Sequence, residues 1–342
     1  MKKIALLGPN LESYGGVNVA IKHLKKFFEK KGIEVHLFPV GKTNIKENEY
    51  IHPINTDIKK EQIRIFNDKF KKFNFDLVIA NNLRTSFLLS SFSKNKSLND
   101  LYVIHQGRIL QNKFKWFHFK QKSKFKKIFT YKKIVLFNKC SKNSFINKYK
   151  INAQYFIIPN AFDFEEIKNK SNEFKVKGNY ILGVGRLEKN KNYDYLLKAY
   201  AVSRIDKELW LLGDGEEKEF LKKLAKKLGI QNKVKFLGWQ DNSYPYIKNA
   251  SLLVHPSKFE ALPTVIIESL ILNTPVVATD IKCGPNEILT EELSEFLVPL
   301  NKVDILAEKI YKALENYPKI KDEYIEKYKL ENVGKKYLEF LH

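Results

Sequence analysis

The chain has 342 residues, 44% of them hydrophobic, and a formal charge of +23, enough for two domains that each bury a core. No stretch approaches the roughly 20 apolar residues that cross a bilayer, and the opening MKKIALLGPN turns at Gly8 and Pro9 before a signal-peptide core develops, so a cytoplasmic protein is expected. Cys140 and Cys283 lack zinc-site spacing, and the charge calls for an anionic partner: nucleic acid, a membrane surface or a phosphorylated substrate.

Lys3 to Leu7 is a short apolar run and predicts a strand. The loop GPNLESYGGV then leads into a helical pattern whose Val19, Leu24, Phe27 and Phe28 share a face and which stops at Gly32. IEVHLFPV reads as the next strand, so the chain opens as strand, loop, helix, strand, the start of a parallel sheet. FDLVIANN, LYVIHQG, KIVLFNK and QYFIIPN repeat the pattern of a buried strand ending in polar residues, and the first α/β domain is expected to end near Pro159. Residues 107–150 contain no Asp or Glu, and Phe114, Trp116, Phe117, Phe119, Phe125 and Phe129 recur among lysines there. That composition fits an anionic membrane surface, single-stranded nucleic acid, or a core helix with a solvated lysine face. No nucleic-acid module signature accompanies it, and nucleic acid is not expected as a partner.

A second series starts at NYILGVGRLEKNKNYDYLLKAY and runs through LWLLGDGEEKEFLKKLAKKLGI, VKFLGWQ, ASLLVHPSKFE, a helix from about Pro263, and TPVVATD. The expected architecture is α/β: two doubly wound, Rossmann-like domains facing each other across a cleft, with polar strand ends where open parallel sheets bind ligands. A last helix, DEYIEKYKLENVGKKYLEFLH, presents Val333, Tyr337 and Leu341 on one face and must pack on one of the two.

Three places could carry chemistry. In GVGRLEKNK, Arg186 and Lys191 follow a strand end on a loop short enough to aim both cations at a diphosphate, or else they are solvated charges of a basic protein. Gly15 and Gly16 precede a helix whose bare amides and dipole suit a phosphate. A tight turn alone also explains them, and the loop is neither a P-loop nor a dinucleotide fingerprint. Glu260 and Glu268 flank Pro263, a residue suited to the first turn of a helix. One carboxylate would then sit at the helix mouth and the other inside the helix, both acceptors for the hydroxyls of a sugar or a ribose, unless both are surface glutamates.

In order and spacing, GVGRLEKNKNYDYLLKAY, LLGDGEEKEFLKKLAKKLGI, VKFLGW, HPSKFEALPTVIIESLILNTPVVATD and CGPNEIL resemble the nucleotide-binding half of the family 4 glycosyltransferases of GT-B fold. The Glu260 and Glu268 pair resembles that family's E-x7-E motif. The resemblance is strong over about residues 150–310 and weaker before them, through YGGV, VIHQG and IIPNAFD. It implies an acceptor-binding domain at 1–165, a nucleotide-sugar-binding domain at 166–319, and a C-terminal helix at 320–342 that can return to the first. It also implies that Arg186 and Lys191 hold the donor diphosphate as leaving group, that Glu260 contacts the transferred sugar with the backbone amides of Ala261 and Leu262, and that Glu268 holds the ribose. Gly15 and Gly16 match the glycine loop near the phosphates and acceptor, His105 matches a strand-end histidine near the sugar, and Gly238 with Trp239 matches the loop where the base packs.

The implied reaction moves a hexose or N-acetylhexosamine from a nucleotide-sugar, a UDP-sugar above all, with retention and without metal or cofactor. The acceptor would be a cell-surface glycan precursor: lipooligosaccharide, lipopolysaccharide, capsule or a lipid-linked oligosaccharide. The enzyme is expected on the inner face of the plasma membrane, docked through residues 107–150. A soluble sucrose or trehalose type synthase and a basic nucleic-acid-binding protein on a degenerate GT-B scaffold are the alternatives. Ala161, Ala261 and Cys283 depart from the family pattern, standing where small residues, often glycine, are usual. Each adds a β-carbon near a tight backbone.

Overall fold

The structure, a computed structural model, describes residues 1–12, 16–93, 98–105 and 115–341, with residues 115–121 described by backbone alone. It divides into two compact units, Met1–Phe162 with Tyr328–His342, and Asp163–Lys327.

The first unit is a six-stranded parallel sheet of β1 (Lys3–Gly8), β2 (Glu34–Pro39), β3 (Leu77–Ala80), β4 (Asp100–Val103), β5 (Lys133–Leu136) and β6 (Gln154–Ile157), in the order β2-β1-β3-β4-β5-β6. Strands such as LVIA are apolar and buried along their whole length, the mark of a sheet covered on both faces. The connections carry α1 (Gly16–Lys30), α2 (Lys59–Phe70), α3 (Leu83–Phe92), α4 (Lys115–Phe129) and α5 (Lys139–Tyr149). Two of the polar strand ends are helix caps: Asn82 accepts from the Thr85 amide and closes a capping box, and Asn138 accepts from the Ser141 amide.

The core of this unit is aromatic, with Phe38, Phe66, Phe70, Phe125, Phe129 and Tyr149 almost solvent-free. Phe125 and Phe129 of the acid-free stretch therefore face the core and cannot meet a membrane or a base, while the neighbouring Lys124, Lys126 and Lys127 are exposed. This part of α4 is an amphipathic helix with a solvated lysine face. Phe114, Trp116, Phe117 and Phe119 lie outside the described side chains.

The second unit holds α6 (Phe164–Lys170), β7 (Tyr180–Val184), α7 (Tyr193–Ser203), β8 (Glu208–Leu212), α8 (Lys218–Lys227), β9 (Val234–Gly238), α9 (Tyr244–Lys248) and β10 (Leu252–His255). It continues with α10 (Thr264–Ile271), β11 (Val276–Asp280), α11 (Pro285–Ile288), β12 (Leu297–Pro299) and α12 (Val303–Glu315). Its parallel sheet runs β12-β11-β10-β7-β8-β9. Read from β9, this is the doubly wound order in which the first and fourth strands, β7 and β10, are neighbours whose connections leave in opposite directions. That switch point brings the loops after β7 and β10 side by side.

The last helix, α13 (Leu330–Leu338), belongs to the first unit, where it packs on α1 and buries Val333 and Tyr337. It starts at Leu330 rather than Asp322. The intervening residues form two 3₁₀ turns, Asp322–Tyr324 and Glu326–Tyr328. An isolated bridge then keeps Lys329 extended: Phe162 N–H donates to Tyr328 O (2.9 Å) and Leu330 N–H to Phe162 O (2.9 Å). A β-carbon on Gly334 would lie 2.5 Å from the Phe27 ring, so the approach of α13 to α1 requires glycine there.

Candidate active site

In the second unit, glycine turns at the carboxyl ends of β7, β8 and β9 form one backbone layer. Gly185 has φ +146 and Gly213 φ +138. A β-carbon on Gly213 would lie 2.1 Å from the Gly185 carbonyl oxygen, and one on Gly215 would lie 2.4 Å from that of Leu187. Hydrogen bonds close the layer, from Gly185 N–H to Leu212 O (3.0 Å), Leu187 N–H to Asp214 O (2.9 Å) and Gly213 N–H to Gly238 O (2.8 Å). Only glycine permits this approach of backbone to backbone. Arg186 stands on the layer with its side chain 64% exposed, 3.2 Å from Glu188. Trp239, half-exposed beside Gly238, donates its indole N–H to Asp241 (3.1 Å).

Lys191 ends a 3₁₀ turn, and its stem passes 3.4 Å from the point where a Gly185 β-carbon would sit. Its Nζ donates to Oε1 of Glu260 at 2.6 Å. Asn190 fixes that meeting: its Nδ2 donates to Phe259 O (2.8 Å), and its carbonyl accepts from the Lys258 amide (2.8 Å). The ion pair thus spans the switch point, cation from the loop after β7 and carboxylate from the loop after β10. Arg186 and Lys191 meet different carboxylates, Glu188 and Glu260, rather than one common point.

His255, the last residue of β10, is buried, with Nε2 3.3 Å from the same Oε1 of Glu260 but out of line for a hydrogen bond, so that this nitrogen has no hydrogen-bond partner among the described residues. Burial pushes the pKa of His255 down, against the opposing pull of the Glu260 carboxylate. Burial also works against ionisation of Glu260, but the facing His255 ring and the Lys191 ammonium outweigh it and hold the carboxyl below the usual range.

Glu268 lies one turn into α10, whose N-cap is Pro263 rather than a residue inside the helix. Its carboxyl has no ion pair among the described residues, and burial pushes it up to about 7. Tyr244, at the start of α9, is close enough that burial and the Glu268 carboxylate together drive its phenol upward. Between the two glutamates, Leu262 is buried and Ala261 partly exposed. Gly284, at φ +103, packs the CGP turn against them, for a β-carbon there would lie 2.7 Å from Pro263 Cδ.

In the first unit, His105 follows β4 and meets Phe137 edge-on at 4.7 Å. Its Nε2 is buried with no hydrogen-bond partner among the described residues, and burial pushes its pKa down to about 3. Gly16 opens α1 and is exposed, whereas Gly15 lies outside the described residues. Among the described residues, no three His, Cys, Asp or Glu are grouped to hold a metal, and no helix is long and apolar enough to cross a membrane. Asn190 and His255 escaped the sequence reading. Their only local signals are a place between the two cations and the head of HPSKFE.

Residues 163–331 match the family model described as glycosyl transferases group 1. This stretch is a group 1 glycosyltransferase domain. Its curated relatives include the N-acetylgalactosamine-N,N'-diacetylbacillosaminyl-diphospho-undecaprenol 4-alpha-N-acetylgalactosaminyltransferase of Campylobacter jejuni, 35% identical over 192 residues. That match covers 53% of this chain and 53% of the relative, so it spans about half the relative's length. An uncharacterized glycosyltransferase of Haemophilus influenzae is 26% identical over 328 residues, 89% of this chain and 88% of that protein. Anabaena HepE, in complex with UDP and glucose, aligns at a TM-score of 0.78 with 18% identity over 100% of this chain and 99% of that one. At such identity the likeness shows the fold, which is GT-B. The group 1 domain carries the second of its two doubly wound sheets.

Proposed function

We propose that the protein is a retaining glycosyltransferase that moves a sugar from a nucleotide-sugar, a UDP-sugar first among them, to a lipid-linked or other cell-surface glycan precursor. The observation that carries this reading is the Lys191 and Glu260 pair at the switch point, set beside the close-packed glycine layer at the strand ends. The names of relatives support it: the Campylobacter enzyme is a 4-alpha-N-acetylgalactosaminyltransferase of a diphospho-undecaprenol-linked saccharide, and HepE was solved with UDP and glucose.

A diphosphate on this layer would draw in the exposed Arg186 guanidinium and the Lys191 ammonium. Breaking the bond between the anomeric carbon and the β-phosphate oxygen puts charge on the phosphate, where both cations stabilise it, the role a divalent ion has elsewhere. The acceptor hydroxyl attacks from the same face. Its oxygen bonds the anomeric carbon and its proton passes to the departing phosphate, so configuration is retained without an enzyme nucleophile. Glu260 orients the sugar hydroxyls with the amides of Ala261 and Leu262, Glu268 accepts from the ribose, and the base packs on the Gly238 and Trp239 loop. Acceptor binding is assigned to the first unit, with Gly15, Gly16 and His105. Docking on the anionic inner leaflet rests on charge, including Lys124, Lys126 and Lys127, since Phe125 and Phe129 are core residues.

A thermal-shift screen of UDP-, GDP- and ADP-sugars tests the reading, because a ligand that binds only the folded state raises its stability by mass action. At least one donor should raise the melting temperature and be turned over with a lipid-linked acceptor. No response to any of them would remove the proposal.

A further inference from the structure

Among the described residues, Oε1 of Glu260 has two side-chain nitrogens near it, Lys191 Nζ at 2.6 Å and His255 Nε2 at 3.3 Å, and of these the lysine is hydrogen-bonded and the histidine is not. His255 is 2% exposed, and its backbone is held in the sheet, in register with Ala278 of β11. A buried ring nitrogen left without a partner is uncommon and calls for an explanation. We infer that His255 is a positioning residue that takes over Glu260 when Lys191 turns to an anionic diphosphate.

This inference rests on the reading of Lys191 as a diphosphate ligand. Lys191 cannot serve a phosphate fully while it is bound to Glu260. If it leaves, Glu260, 15% exposed, becomes a buried carboxylate without a cation, which is strongly unfavourable. His255 removes that obstacle. A small turn of its ring brings an Nε2–H into line and shortens the approach to about 2.9 Å, an ordinary N–H···O distance. One donor then replaces the other on the same oxygen, the ammonium is freed for the leaving group, and the second carboxylate oxygen is left for sugar hydroxyls. Asn190 holds the loops of Lys191 and Glu260 together throughout, so that side chains move and the backbone does not.

The test is a double-mutant cycle on the full chain, read by calorimetry with UDP, or with GDP or ADP if UDP is silent. His255→Ala should weaken the diphosphate about tenfold, equivalent to about 1.4 kcal/mol. His255→Gln, whose amide nitrogen reaches the place of Nε2, should recover most of that loss. In a Glu260→Gln background there is no charge to abandon, so adding His255→Ala should change affinity by less than about twofold. Should the alanine variant not fold, His255→Met fills the space without donating and carries the same comparison. Equal losses in both backgrounds, or no loss in either, would show that His255 only supports β10 and would end the exchange. Wild-type protein that binds none of the three diphosphates would instead overturn the proposed function, and this inference with it.

Discussion

Replacing Glu268 by glutamine should stabilise the ligand-free protein at about pH 8 and leave it unchanged at about pH 4. Burial pushes this carboxyl from 4.5 up to about 7, and no cation among the described residues offsets it. The folded state therefore holds the proton more tightly than the unfolded chain does. Stability is fully present below the unfolded value of 4.5, declines as pH rises, and is lost once pH passes the folded value of about 7. At about 1.4 kcal/mol per unit, the full penalty is about 3 kcal/mol; the partial exposure of Glu268 reduces the expected gain to about 2 kcal/mol. Glutamine keeps the shape and removes the charge. Urea unfolding at the two pH values reads the difference as a shift in midpoint at constant slope. Equal gains at both pH values, or none at pH 8, would refute the account of an unpaired, desolvated carboxylate. A binding arm runs alongside: the affinity of wild type for a nucleoside diphosphate should rise between about pH 6 and pH 8 as the acceptor carboxylate forms, while Glu268→Gln should bind weakly and without that rise. A variant that is more stable and binds less well is the expected signature of a charge kept for function.

Arg186→Ala and Lys191→Ala should each lower kcat for transfer by about 2 to 4 kcal/mol in barrier terms. Only the lysine variant should also melt somewhat early, because His255 can donate to Glu260 but cannot replace the lost positive charge, and normal turnover by a folded Lys191→Ala protein would contradict the diphosphate assignment. Transfer should persist in excess EDTA; complete inhibition reversed by added metal would show that the cation pair is not sufficient. In the first unit, His52 accepts or donates across 2.8 Å to His36, and burial, with His36 second, pushes His52 down to about 4. Its contribution to stability is complete above about 6.5 and lost as pH falls through about 4, so melting temperature should drop across that window and His52→Gln should flatten the drop. Anionic vesicles should bind the protein at low salt, and changing Lys124, Lys126 and Lys127 to glutamate should release it; indifference of wild type to such vesicles would leave α4 as a solvated helix face.

The strands were legible because burial on both faces writes uninterrupted apolar runs such as KIALLG and YILGV. Helix α2 went unread: KKEQIRIFNDKF buries only Gln62, Phe66 and Phe70, too sparse a set to stand out in a lysine-rich chain. At the site, the glycines of GVG and GDG were visible as punctuation, but their mutual contact was not, since it depends on β7 and β8 being paired in register. The bond between Lys191 and Glu260 joins residues 69 positions apart and follows from strand order at the switch point, which no local pattern encodes. The start of α13 was misjudged for a similar reason: the helical spacing continues upstream, and a tertiary partner, Phe162, holds Lys329 extended.

The return of the chain to the first unit has a consequence for biosynthesis. Residues 163–327 are contiguous and can complete their sheet as soon as they have been made. The first unit cannot: although all six of its strands precede Phe162, the surface around Phe27 waits for Gly334 and its neighbours on α13. A nascent chain therefore carries an older, unfinished domain while a younger one closes, and apolar surface stays open to aggregation or to chaperones during that interval. A stop codon after Lys327 would spare every strand of both sheets and every residue of the candidate donor site. The product would still be expected to accumulate poorly, because the last turns of the chain are the lid of the first core.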